Sequence, residues 1–148
     1  MDKNEIIAKL PYSPPFLFVD ELTRIDENGA EGTYQLDENA DFYKGHFKGN
    51  PVTPGVILTE VMAQIGLVCL GIFLLDDELK STTTIALSSI EIDFLKPVFP
   101  NEKVTVISEK IYFRFGKLKC QVTMKNEKGE EVCNGKIAGM ITSKIQEL

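Results

Sequence analysis

Residues 56–75 are apolar almost without interruption, and that run limits the folds open to this chain more than any other feature. A helix apolar on most sides must be buried on most sides, in lipid or inside protein. The run is about long enough to cross a bilayer, which takes roughly 20 apolar residues. Inside it lie Glu60 and Gln64, which with Thr59 are its only clearly polar side chains. A bilayer would penalise both long side chains, and the flanking segments read as strands able to cover the helix in water. The run is therefore expected as a core helix, with no stable membrane insertion. Thr53 is placed to cap it and Pro54 to open it. Asp76, Asp77 and Glu78 mark its exit, with charges poorly matched to the helix dipole.

The remaining segments supply that cover. Residues 3–10 place Ile6, Ile7 and Leu10 at helical spacing until Pro11 ends the pattern. Residues 16–26 and 30–36 favour strand and flank the turn signal Asn28-Gly29, which predicts a hairpin. Residues 37–53, rich in Gly, Asn, Asp and Pro, read as an irregular loop. Strands are expected over 83–95, 103–113, 117–125 and 131–143 as an antiparallel meander, with turns at Gly116 and at 126–129. Glu91, Asp93, Lys119 and Gln121 are expected to face solvent or a partner. One long apolar helix among about six strands predicts an α+β fold, a curved antiparallel β-sheet wrapped around one long central helix.

With 148 residues the chain fits a single domain, 1–148. A net charge of −6 argues against binding nucleic acid or an anionic membrane, which need a basic surface. Cys69, Cys120 and Cys133 form no CxxC pair, and Met1-Asp2-Lys3-Asn4-Glu5 lacks the basic-then-apolar layout of a signal peptide, so a cytoplasmic location is expected. One histidine and scattered cysteines offer no zinc ligand set, and no Gly-rich phosphate loop occurs. No metal and no nucleotide cofactor are expected.

The chemistry concentrates between residues 45 and 64. His46 is the chain's only histidine, and histidine is the side chain whose ordinary titration falls nearest neutral pH. Glu60 and Gln64, four residues apart, share one face of the helix. Apolar neighbours Val56, Ile57 and Val61 favour a raised Glu60 pKa, whereas the helix N-terminus, about 9 Å away along the axis, favours the anion. The amides of Gly55 and Val56, at that N-terminus, have no partner within the helix and suit a thioester carbonyl oxygen. The plainer alternatives are a carboxylate hydrogen-bonded to backbone or to Gln64, and an ordinary loop histidine.

Three clusters of residues carry a resemblance: Phe42-Tyr43-Lys44-Gly45-His46-Phe47, Pro51-Val52-Thr53-Pro54-Gly55-Val56-Ile57-Leu58, and Glu60-Val61-Met62-Ala63-Gln64. Together they resemble the active-site signature of the FabZ-type (3R)-hydroxyacyl-[acyl carrier protein] dehydratases of the hot-dog fold. Phe16-Leu17-Phe18-Val19-Asp20 is similar to that family's early strand, and the stretch from Ile92 to Pro100 to its later strand and turn.

The resemblance implies His46 as base and Glu60 as acid, with substrate contacts from Val52, Gly55 and Val56 and support from Gln64. It implies a substrate carried on the phosphopantetheine of an acyl carrier protein and no dissociable cofactor. It also implies a homodimer or a trimer of dimers, with His46 of one copy meeting Glu60 of another across an acyl tunnel. Glu rather than Asp at position 60 sets the chain apart from the dehydratase-isomerases. The family commonly has Pro at Lys48, Ala at Val61 and Gly-Asp at Asn101-Glu102, departures that fit a specialised enzyme of polyene or aryl-polyene synthesis as well as one of fatty acid synthesis. Val61 is expected to narrow the pocket. An acidic enzyme meeting an acidic carrier needs local positive charge, for which Lys44 and Lys48 are candidates, unless they are ordinary solvated lysines. A hot-dog thioesterase and a noncatalytic acyl-binding or assembly subunit are the rival readings.

Overall fold

The structure, a computed structural model, describes residues 1–142. The last residue of the final predicted strand, Ser143, lies outside the described residues. Helix α1 (Lys3–Ala8) begins with the Asp2 side chain accepting the Glu5 N–H at 2.8 Å. Strands β1 (Glu21–Asp26) and β2 (Gly29–Gln35) form the predicted hairpin, whose turn is fixed by the Asp26 carboxylate accepting the Asn28 and Gly29 amides. Short helix α2 (Phe42–Gly45) leads through a loop to the central helix, built from α3 (Gly55–Met62), a π turn (Ala63–Val68) and α4 (Cys69–Leu75). A 3₁₀ turn at Asp76–Glu78 ends it. Strands β3 (Thr84–Phe94), β4 (Lys103–Arg114), β5 (Lys117–Lys125) and β6 (Glu131–Thr142) follow.

The six strands form one antiparallel sheet in the order β1-β2-β4-β5-β6-β3. Only β4, β5 and β6 are a meander; β3 pairs with β6 at the far edge instead of sitting next to β4. The central helix explains the displacement. Its 21 residues from Gly55 to Leu75 extend about 30 Å, which carries the chain across the sheet before β3 begins. The helix is thus the core helix of a hot-dog fold: Val61, Met62, Ile65, Leu67 and Leu70 are fully buried with Val104, Val106, Leu118, Val122 and Ile137 of the strands.

The expected helix start is corrected. Pro54, with extended ψ (139°), occupies the cap position and the first helical residue is Gly55. The Thr53 hydroxyl caps nothing; it shares a buried 2.6 Å hydrogen bond with the Tyr43 hydroxyl. The π turn falls where the sheet reaches into the helix. Ser108 Oγ of β4 donates to the Gly66 carbonyl (2.8 Å) and accepts the Ala30 amide of β2 (3.2 Å), joining helix and two strands through one hydroxyl. A Cβ on Gly66 would lie 3.1 Å from both Ser108 Cβ and Val122 Cγ1, so glycine sets how closely the helix approaches the sheet.

Candidate active site

His46 stands at the end of α2, where its amide N–H donates to the Phe42 carbonyl at 3.0 Å. Three backbone bonds close the loop that follows: Val52 N–H to the His46 carbonyl (2.9 Å) and, inside it, Phe47 and Asn50 donating to each other (2.9 and 3.0 Å). Gly49 turns the chain at φ +64°, a conformation that favours glycine. The imidazole is held from two sides. Phe47 stacks on its face at 3.9 Å between centroids, and Nδ1 lies 2.9 Å from the Val52 carbonyl. A carbonyl oxygen only accepts, so Nδ1 carries the hydrogen and Nε2 has the free lone pair.

Glu60 projects from α3 into a cleft of about 500 Å³ lined by Gly55, Val56, Thr59 and, from β3, Leu87, Ile90 and Phe94. Burial among these groups raises its carboxyl pKa above the ordinary value, and a hydrogen bond from Gln64 opposes the shift. Gln64 is fully buried and its amide is committed. Oε1 accepts the Phe18 amide at 2.8 Å, while Nε2 donates both to the Phe16 carbonyl (3.0 Å) and to Glu60 Oε2 (2.9 Å). Turning the amide over would set Oε1 against two acceptors, so its orientation is fixed. Gln64 can only donate to Glu60, which leaves Oε1 of the carboxyl as the oxygen able to carry a proton outward.

At the helix start the Ile57 and Leu58 amides both bond the Pro54 carbonyl (3.0 and 3.2 Å), and those of Gly55 and Val56 have no acceptor among the described residues. Val56 is 77% exposed. The space left by the missing Gly55 side chain holds the Phe94 ring, 3.2 Å from where a Cβ would be. The glycine therefore serves close packing of β3 on the helix, not only ligand approach.

The structure brings Gly55, Val56, Glu60 and Gln64 together, and joins His46 to Val52. His46 is not among the residues lining the Glu60 cleft. Of the residues expected to desolvate Glu60, only Val56 lines that cleft; Ile57 faces a separate groove beside Phe16–Phe18, and Val61 is fully buried in the core rather than narrowing the pocket. Of the other cleft wall, Phe94 belongs to the stretch similar to the family's later strand, whereas Leu87 and Ile90, apolar positions of the edge strand β3, carried no signal that marked them as site residues. Lys44 in α2 and Lys48 in the loop after His46 are exposed, and Lys44 is 3.2 Å from Asp41. The three thiols are buried and pushed up to about 12, which makes them poor nucleophiles. Among the described residues no cluster of His, Cys, Asp or Glu suits a metal ion.

Comparison with known proteins shows what the chain as a whole is similar to. A 3-hydroxyacyl-[acyl-carrier-protein] dehydratase FabZ of Caldicellulosiruptor saccharolyticus is 35% identical over 139 residues, covering 92% of this chain and 95% of that protein. Among solved structures, the dehydratase heterocomplex ApeI:P of Xenorhabdus doucetiae superposes with a TM-score of 0.75 at 10% identity, covering 94% of this chain and 91% of that one. A hypothetical thioesterase with coenzyme A from Streptococcus pneumoniae gives 0.61 at 14% identity, covering 84% and 86%. These two likenesses show the shared hot-dog fold. The FabA-like domain family matches residues 10–142, so the loop that locks the imidazole and the helix that shelters the carboxyl lie within a chain that belongs to the FabA-like family.

Proposed function

We propose that this chain, acting as one domain over 1–148, converts (3R)-hydroxyacyl-[acyl carrier protein] to the trans-2-enoyl thioester and water. The observation that carries the reading is the Glu60 carboxyl, sheltered in an apolar cleft and held through one oxygen by a fully committed amide. Nε2 of His46 takes the proton from C2, the C2–C3 double bond forms, and the C3–O bond breaks as Glu60 protonates the departing hydroxyl. The amides of Gly55 and Val56 stabilise the thioester oxygen as charge develops on it. Because His46 lies outside the Glu60 cleft, the site is completed by a second copy. Edge strand β3, with Leu87, Ile90 and Phe94 exposed beside Glu60, is the surface suited to that pairing.

The substrate arrives on the phosphopantetheine of an acyl carrier protein in the cytoplasm, with Lys48 and, beside Asp41, Lys44 meeting the acidic carrier. No dissociable cofactor takes part. The test offers carrier-bound 3-hydroxyacyl groups, including polyenoyl and aryl-capped chains, and follows loss of 18 mass units. Wild type should dehydrate at least one member, and His46→Ala and Glu60→Gln should not. Release of free thiol without an enoyl product would instead make the protein a thioesterase.

A further inference from the structure

The β4–β5 hairpin ends in a segment that the candidate site does not use. Lys110-Ile111-Tyr112-Phe113-Arg114-Phe115-Gly116-Lys117-Leu118-Lys119 holds four basic residues and no acidic one, in a chain whose net charge is −6. Leu118 is fully buried and its cross-strand partner is Phe113, so Lys117 and Lys119 on β5 and Tyr112 and Arg114 on β4 lie on the opposite, outer face of the sheet. Tyr112 stands across from Lys119 and Arg114 from Lys117, while Met140 of β6, 38% exposed, flanks Lys117 on its other side. The Arg114 guanidinium lies 4.4 Å over the Tyr112 ring, and none of the four basic residues enters an ion pair among the described residues. At the apex Phe115 is 95% exposed. A Cβ on Gly116 would meet nothing within 4 Å, so the apex stands clear of the rest of the chain.

The turn does not account for that ring. Phe115 and Gly116 both have positive φ, +52° and +72°, the conformation of a two-residue hairpin turn for which Asn-Gly is the favoured pair and an aromatic residue a poor one. An exposed ring in a disfavoured conformation, set between unpaired cations, suits a surface that is apolar and negative at once. We propose that the β4–β5 tip docks on an anionic lipid bilayer, with Phe115 seated among the headgroups and Arg114, Lys117 and Lys119 against their negative charges. A bilayer interface accepts an aromatic side chain at any point, whereas a folded acidic partner would have to bring a pocket for it. The net charge of −6 is an average over the chain and does not bar this contact, because lipid charge is felt only within a Debye length, about 8 Å at physiological salt. The hairpin lies inside the sheet order with β6 between it and β3, so pairing through β3 leaves it open. The inference stands apart from the dehydratase reading, and the contact is with the bilayer surface alone; the central helix stays buried in protein.

The chain has no tryptophan, so Phe115→Trp places a single reporter at the apex. Its fluorescence should move to shorter wavelength when vesicles of phosphatidylcholine mixed with phosphatidylglycerol are added, stay in place with phosphatidylcholine alone, and return as salt is raised. In flotation assays the wild-type full chain should rise with the mixed vesicles. Arg114→Gln combined with Lys117→Gln should weaken that binding about tenfold or more. Phe115→Asn, which suits the turn better and so keeps the hairpin folded, should weaken it about fivefold or more. Wild type left in the lipid-free fraction, equal binding to phosphatidylcholine alone, or Phe115→Asn floating as wild type does would each overturn the proposal. So would a spectral shift produced by an acidic carrier protein or by duplex DNA and not by vesicles, which would make the tip a protein or nucleic-acid contact instead.

Discussion

Replacing Gln64 by Leu keeps nearly the same volume and removes three hydrogen bonds at once. The Phe18 amide is buried and loses its acceptor, at a cost of about 1–3 kcal/mol. The Phe16 carbonyl is only part-buried, and its loss adds up to about 1 kcal/mol. Burying Leu in place of an amide returns about 1 kcal/mol, so a net loss of up to about 3 kcal/mol, near 1.5 at the middle of these ranges, is expected. Urea denaturation at fixed protein concentration measures it as a lower midpoint with unchanged slope. A second effect has the opposite chemical sense. Gln64 favours the ionised form of Glu60, so its removal should raise the carboxyl midpoint and extend the alkaline limb of kcat/KM upward. A cost below about 0.5 kcal/mol together with an unmoved or lowered midpoint would show that the amide neither holds the Phe16–Phe18 segment nor tunes the acid.

Gly66→Ala puts a methyl 3.1 Å from Ser108 and Val122 in a fully packed layer, and should cost about 1–3 kcal/mol in thermal or urea unfolding. Glu60 has a folded-state pKa above its ordinary value of 4.5. Its contribution to stability is therefore complete below the unfolded carboxyl range and is lost as pH rises through the folded pKa. Glu60→Gln should flatten this decline, so the variant gains on wild type from pH 4.5 upward; parallel stability curves would count against a desolvated carboxyl. Replacing both Lys44 and Lys48 by Ala should raise KM for carrier-linked substrate and spare a small thioester analogue. Equal effects on the two substrates would remove these lysines from carrier docking.

The strands and the core helix were legible because apolar periodicity and turn residues are local signals. The position of β3 was not, since it depends on how far the helix carries the chain. Its face was obscured as well: the register shifts between Leu87 and Ser89, and a bulge there changes parity, so Leu87 before it and Ile90 and Phe94 after it line one cleft although their numbering does not alternate. The π turn depends on Ser108, 42 residues from Gly66 in sequence. Thr53 looked like a helix cap until Tyr43 proved the nearer partner for its hydroxyl. In the candidate site, His46, Glu60 and Gln64 could be picked out as rare polar residues at telling spacings. The anchoring of Gln64 to Phe16 and Phe18 could not, because backbone groups leave no mark in a sequence.

The bond between His46 Nδ1 and the Val52 carbonyl has a further consequence for turnover. The ring makes that same contact whether or not Nε2 holds a proton, so in the proposed cycle the base gains and releases its hydrogen without rotating. Recharging then needs only a relay of protons through solvent or substrate, with no heavy atom returning to a starting position. A catalyst reset in this way tolerates a crowded, stiff pocket, because nothing in the cycle requires the ring to swing.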